Sequence, residues 1–327
     1  MDRRTAWIIG GLSLLLVVLV ALIFLVLRDG EDEAGETTIP GETSTSDSPT
    51  SAPTTVTTEA PTTTEPPTTT TEGPPTTLAG NWAGEPLITT IFGALGYWDG
   101  SSWVGIADLG GMPVTGGEEY QAVLFGITAI LSGGPPTALC EPLDNPGVEL
   151  SNEAILGEFP GPIGVALSAG WDLTPHLVEV GDTNDPTYQG IASSLLASRG
   201  LDVASPSLKQ LISFDLEGDG VNEVLVVAED TGDNVIVDEV GEYSIAFMSK
   251  VVQGEAQTAI LGDSVITAEP IPYVGAFTAA AVAELSGDAK MEIVLNAAFF
   301  EGFSTDIWEY VNDDLGPVKQ LETGCGS

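Results

Sequence analysis

The stretch "DLEGDGVNEV", which begins at Asp215, has the residue types and spacing of a cation-binding loop. Acids stand at every second position (Asp215, Glu217, Asp219), and Glu223 completes the series. Calcium takes about six to eight oxygen ligands, and alternating acids in a tight loop can face a common centre. We therefore predict a structural calcium site made by these four side chains and the carbonyl of Val221. The alternative is a solvated turn between two strands, because Gly and Asp also favour turns.

Spacing excludes the EF-hand version of such a loop. Its bidentate acid belongs at about the twelfth position of the loop, where this chain has Val226. His176 is the single histidine, so most His-based triads and His-rich metal sites are excluded. The chain is so acidic that a pair of carboxylates for glycoside hydrolysis remains an alternative, although the sequence does not single out a pair.

A second, weaker copy of the acidic loop follows at a constant offset from the first. Glu284, Ser286, Asp288 and Glu292 stand where the first loop has its four acids. We predict a weaker calcium site there, since one acid is missing. The similarity extends into the flanking segments, with a short gap. Each copy predicts a strand, an acidic loop, a strand and then two further strands, which is the plan of a four-stranded propeller blade.

The motifs "DLEGDGVNEVLVV" and "ELSGDAKMEIVL" resemble the FG-GAP and VCBS repeats of integrin-like β-propellers and bacterial surface proteins. The resemblance covers about residues 207–327 and is specific in the first loop. It implies blade-like units with calcium-binding loops between strands. The second copy departs from the pattern at Glu284, Ser286 and Ala289, the last standing where the repeats have Gly.

The elements around these loops predict a mainly β fold. Short apolar or alternating runs are separated by Gly, Pro, Asp and Asn, and Asp99-Gly100 is predicted to form a tight turn. One helix is predicted over about 186–198, capped by Asp185 and started by Pro186. The chain thus predicts antiparallel four-stranded units that resemble β-propeller blades, with one helix packed on them.

The predicted domains divide this folded part in two. Residues 79–206 form a β-rich N-terminal part that contains the helix, and residues 207–327 form the two blade-like repeats. Cys140 lies in the first part and Cys325 in the second. An even number of cysteines outside the membrane predicts one disulfide between them, and two free thiols are the alternative.

The N-terminal segments predict a membrane anchor. Residues 6–27 carry no charge, and as a helix they span roughly 33 Å, close to the thickness of a bilayer. Arg3 and Arg4 precede the segment, which predicts a cytoplasmic tail of residues 1–5 and an extracellular C-terminal domain. A cleaved signal peptide is the alternative, although the apolar run is longer than a usual signal core and no cleavage site follows it.

Residues 28–78 are predicted to be a low-complexity, disordered stalk. The segment is dominated by Thr, Pro and Glu, which offer little to bury. Such a segment would hold the folded domain away from the membrane.

The net charge of the chain limits the classes of partner that the protein is expected to bind. The chain carries 48 Asp and Glu against 8 Lys and Arg, a formal net charge of −40. This charge repels nucleic acid and anionic lipid headgroups and would attract basic partners, and solubility at high salt is the alternative explanation. The expected partners are the membrane, through the N-terminal helix, and a surface protein or glycan. The four tryptophans of the N-terminal part form either a sugar-stacking platform or core: Trp82, Trp98, Trp103 and Trp171.

The sequence favours a non-catalytic, single-pass surface protein that presents a β-rich binding or envelope-structural domain on a stalk. An exported hydrolase acting on cell-wall or glycan polymers is the alternative. Direct signalling is disfavoured by the very short cytoplasmic tail.

Overall fold

The computed structural model describes residues 78–125, 127–140, 145–158, 161–232, 234–269, 275–312 and 316–326. The predicted cytoplasmic tail, the transmembrane helix at 6–27 and the stalk up to residue 77 lie outside these residues. No helix of the described part is long and apolar enough to cross a membrane. The described residues are mainly β, with antiparallel strand pairs and one α-helix, which confirms the predicted fold class at this level.

Seven strands of the N-terminal part form an antiparallel sheet, here called sheet I. Two of its connections contain short 3-10 helices, Ile106–Asp108 and Glu153–Leu156. The predicted turn at Asp99-Gly100 joins the second and third strands, and the Asp99 carboxylate accepts the backbone N–H of Ser101 at 2.8 Å. The strands are β1 (Ile88–Thr90), β2 (Gly93–Trp98), β3 (Trp103–Gly105), β4 (Glu119–Leu124), β5 (Ile127–Leu139), β6 (Asn145–Leu150) and β7 (Val165–Leu167), in the spatial order β3-β2-β1-β7-β4-β5-β6.

Five strands form sheet II, and the helix packs on it. The strands are β8 (Val178–Val180), β9 (Leu208–Phe214), β10 (Glu223–Asp230), β11 (Tyr243–Val252) and β12 (Glu255–Val265), in the spatial order β12-β11-β10-β9-β8. The predicted division at residue 206 falls between two strands, β8 and β9, that share this sheet.

The helix α1 (Pro186–Ser198) lies where the sequence predicts it. The Asp185 carboxylate accepts the N–H of Thr187 at 2.8 Å, so it caps the helix as expected. Ala192 and Leu196 are fully buried against sheet II. Gly200, at φ +88°, follows the helix as its stop signal.

The last four strands form sheet III, a meander in sequence order. They are β13 (Ala276–Ala283), β14 (Glu292–Phe299), β15 (Gly302–Asn312) and β16 (Gly316–Gly326). The strands β13 and β14 are buried along most of their length, and β13 is rich in alanine. A strand buried on both faces loses the apolar–polar alternation of a half-exposed strand, and small side chains allow neighbouring sheets to approach.

Sheet III lies between the other two sheets. On β14, Val294 packs toward Val165 and other residues of sheet I. Its neighbours Ile293 and Leu295 point the other way and pack against sheet II. Because successive side chains of a strand point to opposite faces, one strand contributes to both interfaces. The layers are therefore ordered as helix, sheet II, sheet III and sheet I.

The two interfaces use equivalent residues of sheets II and III. Leu225 faces sheet III, and Val294, its counterpart at the offset between the two loops, faces sheet I. On the opposite face, Val226 packs under the helix, whereas its counterpart Leu295 packs under sheet II. Sheets II and III are thus stacked in the same orientation. The face that sheet II turns toward sheet III is equivalent to the face that sheet III turns toward sheet I.

The predicted disulfide between Cys140 and Cys325 is confirmed. It joins the end of β5 in sheet I to β16 in sheet III, across 185 residues of sequence. Beside it the Asn145 side chain donates to the carbonyl oxygen of Gly324. The outer sheet I is therefore linked covalently to the middle sheet III.

Candidate functional site: the two acidic loops

The two acidic loops connect equivalent strands. The first acidic loop (215–223) joins β9 to β10, and the second acidic loop (284–292) joins β13 to β14. Both connections link neighbouring antiparallel strands at the same end of their sheet. The structure therefore brings the four predicted acids of the first loop into one short corner, and it does the same for the second set.

The last acid of each loop closes it by the same hydrogen bond. The Glu223 carboxylate accepts the backbone N–H of Leu216 at 2.9 Å. In the second loop the Glu292 carboxylate accepts the N–H of Leu285 at 2.6 Å. Both glutamates are 1% exposed. Each stands at the start of the strand that follows its loop, and it holds the backbone N–H of a buried leucine near the start of the loop.

The middle acid of each loop also has an equivalent bond. Asp219 Oδ1 accepts the N–H of Val221 at 2.8 Å, and Asp288 Oδ1 accepts the N–H of Lys290 at 2.9 Å. Side-chain to backbone bonds of this short range are typical of Asx turns. These two carboxylates therefore hold the backbone of their own loops.

The first acid of each loop accepts loop N–H groups as well. The two Asp215 oxygens accept from Asp219 at 3.1 Å and from Gly220 at 2.8 Å. Glu284, one methylene longer, accepts from Ser286 at 3.0 Å and also from Gly287. The longer side chain reaches a different pair of donors but still stabilises the turn.

A lysine that the sequence analysis did not associate with the first loop pairs with two of its four acids. The ammonium of Lys250, on β11, pairs with Glu217 and lies 3.1 Å from Glu223 Oε1. It also stands 4.7 Å from the ring centroid of Tyr310, which belongs to sheet III. The Lys250 side chain is 7% exposed. A basic group is therefore enclosed by two carboxylates and one aromatic face.

The pKa shifts of Lys250 and Glu223 agree with an ion pair between the two side chains. Burial by itself would lower the pKa of Lys250, but Glu217 and Glu223 overcome it and raise that pKa above its ordinary value. Burial raises the pKa of Glu223, and the N–H of Leu216 together with the Lys250 ammonium opposes that rise. The lysine is therefore held in its charged form.

The second loop is more deeply buried than the first. Burial raises the pKa of Glu284 to about 7, although the N–H groups of Gly287 and Ser286 oppose it. Burial raises the pKa of Glu292 well above its usual range, and the nearby Glu284 adds to the rise. The ring of Trp171 covers the loop, because its indole N–H donates to the Glu284 carbonyl at 3.2 Å. Both glutamates are therefore almost fully shielded from solvent, each at 1% exposure.

The first loop differs from the predicted calcium site in what its carboxylates bind. Two of its predicted first-loop ligands, Glu217 and Glu223, hold the Lys250 ammonium. Among the described residues, no group of three or more His, Cys, Asp or Glu side chains is arranged to hold a metal. The first loop does not offer its full predicted ligand set while Lys250 is in place.

A cleft lies close to the second loop. Its volume is about 380 Å³, and its lining includes Val123 and Phe125 of sheet I, Val282 of β13 and the Pro175-His176 pair. The ring nitrogen Nε2 of His176 lies 3.3 Å from the carbonyl oxygen of Ala289, so it contacts the backbone of the loop. Because Thr128, Thr174 and His176 line it together with apolar side chains, the cleft offers both polar and apolar contacts.

The four tryptophans do not form one platform. Trp98 and Trp103 contact each other edge to face at 5.3 Å, at the β2–β3 hairpin. Trp103 donates to Glu309 at 2.8 Å, while Trp82 donates to the Leu78 carbonyl at 3.1 Å. All four are partly buried.

Comparisons with protein-family models, with curated proteins and with solved structures gave no match to this chain.

Proposed function

We propose that the described domain is the non-catalytic part of a single-pass surface protein, exported and presented on the predicted stalk. The observation that carries the proposal is the use of the acidic side chains. Their carboxylates accept backbone N–H groups of their own loops or hold Lys250. Glu223, Glu284 and Glu292 are each 1% exposed. Catalytic carboxylates must instead reach a bound substrate. The loops therefore serve as structural corners.

The stacking of sheets supports the proposal that residues 207–327 are two related repeats. The loops share hydrogen bonds at a constant offset, and Leu225 and Val294 occupy equivalent faces. The FG-GAP and VCBS resemblance adds that such units occur in surface proteins. We therefore propose blade-like repeats that pack in series on sheet I.

The disulfide supports export of the domain. A Cys140–Cys325 bridge persists in an oxidising compartment, and thiols are kept reduced in the cytosol of most cells. The predicted anchor at 6–27 would place residues 28–327 in such a compartment. The predicted topology and the bridge therefore agree.

The experiment labels the thiols of the full-length chain in intact cells with a membrane-impermeant maleimide polymer. Without reductant we expect no gel shift, and after mild external reduction we expect a shift for two thiols. A chain lacking residues 6–27, which should remain inside the cell, is the matched control and should carry reduced thiols. A full-length chain with two free thiols, or one labelled only after lysis, would refute the proposed location.

The cleft beside His176 is the proposed binding surface of this domain. Leu177, at its rim, is 73% exposed. We expect Leu177→Asp to abolish binding of the full-length chain to envelope material from the same cells, because a charge disfavours an apolar contact. Val235→Asp, at an exposed valine that does not line the cleft, should leave binding unchanged. Equal binding by both variants would place the binding surface elsewhere.

A further inference from the structure

Lys250 reaches the first acidic loop through the register of sheet II. Val224 on β10 pairs with Ser249 on β11, so Glu223 and Lys250 are the next residues along the same ladder. Both point toward sheet III, where Tyr310 receives the ammonium on its ring face. The contact thus joins the loop, its own sheet and the neighbouring sheet.

The second unit has an acid at the same position. Ile293 on β14 pairs with Trp308 on β15, so Glu309 is the register counterpart of Lys250. Its carboxylate turns toward sheet I and accepts from Trp103 and Gln320. A basic residue at this position is therefore a property of the first loop, which is also the loop with the fuller set of acids.

We infer that the Lys250 ammonium is the resident cation of the first acidic loop and takes the place in which the loop pattern predicts calcium. Two of the predicted ligands, Glu217 and Glu223, bind it directly. The Asp215 carboxylate, a third predicted ligand, is turned to loop N–H groups. A divalent ion in the same space would lie beside a fixed positive charge, which like-charge repulsion disfavours.

The Lys250 ammonium accounts for the stability of the first loop as a corner between β9 and β10. Two carboxylates brought this close repel each other unless a cation lies between them. An ammonium on the adjacent strand supplies that cation within the chain, so the fold does not depend on the calcium concentration outside the cell. This inference rests on the structural role proposed above for the loops.

The test compares the thermal unfolding of the full-length chain in detergent for the wild type and Lys250→Met. Methionine keeps most of the length of the side chain and removes the charge. We expect the melting temperature of Lys250→Met to fall by roughly 10 °C in the presence of a chelator, because one partner of a buried ion pair is lost. Millimolar calcium chloride should restore most of the loss, and sodium chloride of equal ionic strength should not.

The wild type should show no change in melting temperature between chelator and calcium chloride. Lys290→Met is the matched control, since Lys290 belongs to the second loop, is 48% exposed and stands 4.0 Å from Asp288. It should melt within about 1 °C of the wild type, as expected for an exposed pair.

A second variant keeps the inference testable if Lys250→Met folds poorly. The double variant Lys250→Met with Glu217→Gln removes one charge of each sign, so it should recover stability without calcium. Three results would overturn the inference: a wild type stabilised by calcium, an unchanged melting temperature in Lys250→Met, or a loss that neither calcium nor Glu217→Gln restores. Each is distinct from a failure of the labelling experiment, which concerns the location of the domain.

Discussion

An exchange of glycine and alanine between the two loops gives the most direct test of their equivalence. Gly220 in the first loop has φ +83°, and Ala289, its counterpart in the second loop, has φ +67°. An L-residue in this left-handed region costs roughly 1–2 kcal/mol. Alanine in place of glycine regains about 0.4–1 kcal/mol, because it restricts the unfolded chain. The net effect of a β-carbon at either position is therefore destabilising.

We expect Ala289→Gly to raise the free energy of unfolding by about 0.5–1 kcal/mol, and Gly220→Ala to lower it by about the same amount. A β-carbon built at Gly220 meets no atom within 4 Å, so steric contact should add nothing. For a domain of this size, the change corresponds to about 1–4 °C in melting temperature.

The assay is equilibrium denaturation of the full-length chain in detergent, followed by tryptophan fluorescence. Gly190→Ala is the matched control, because Gly190 lies in α1 and a β-carbon there also meets nothing within 4 Å. It should raise stability by about 0.5–1 kcal/mol, as expected for an interior helical glycine. If Gly220→Ala moves in the same direction as Gly190→Ala, or if Ala289→Gly destabilises the fold, the reasoning is refuted.

Three further predictions concern the bridge, the helix and a buried acid. Replacing Cys140 and Cys325 by alanine removes the bridge between sheets I and III. This change should cost at most about 5 kcal/mol of unfolding free energy, measured by urea denaturation, and a loss under about 1 kcal/mol would contradict the role of the bridge. Asp185→Ala removes the helix cap and should cost about 1 kcal/mol by the same measurement, whereas Asp185→Asn should be nearly neutral. Burial raises the pKa of Asp306 from 3.8 to about 6, against the effect of Lys319. The native state therefore binds this proton more tightly, so the stability from Asp306 is full below about pH 4 and is lost as the pH rises through about 6. Asp306→Asn should reduce the fall in unfolding free energy between about pH 4 and pH 7 by up to about 3 kcal/mol, and an unchanged pH profile would contradict this.

Features with local signals could be predicted from the sequence. The helix follows from Asp185 and Pro186 at its start, and these residues act on neighbours a few positions away. The bridge follows from cysteine arithmetic, because a chain with two cysteines allows one intramolecular pairing. The loop corners follow from alternating acids and glycines between two apolar runs.

The ion pair between the first loop and Lys250 could not be predicted from local signals. Lys250 lies in an apolar strand, 27 residues after Glu223. Only the register of β10 on β11 brings the two side chains together, and a shift by one residue would turn Lys250 to the opposite face. One available signal was the isolated base itself, since a lysine within "YSIAFMSKVV" needs a counter-charge when buried.

The order of the layers was equally hidden. The strand β14 is apolar on both faces, so its sequence does not say which face meets which neighbour. The strand β8 lies in the N-terminal part but pairs with β9, and so short a segment has too weak a pattern to reveal its partner. Long-range pairing therefore decided what local periodicity left open.

The position of helix α1 has a consequence for how such a chain can change in length. The helix covers one face of sheet II, and sheet II covers the equivalent face of sheet III. Val226 and Leu295 occupy equivalent positions on these two faces. A unit of the same kind inserted between β12 and β13 would find a matching surface on either side. The helix and sheet I would then remain as the two ends of a longer array, so this architecture can be extended by duplication without redesigning its termini.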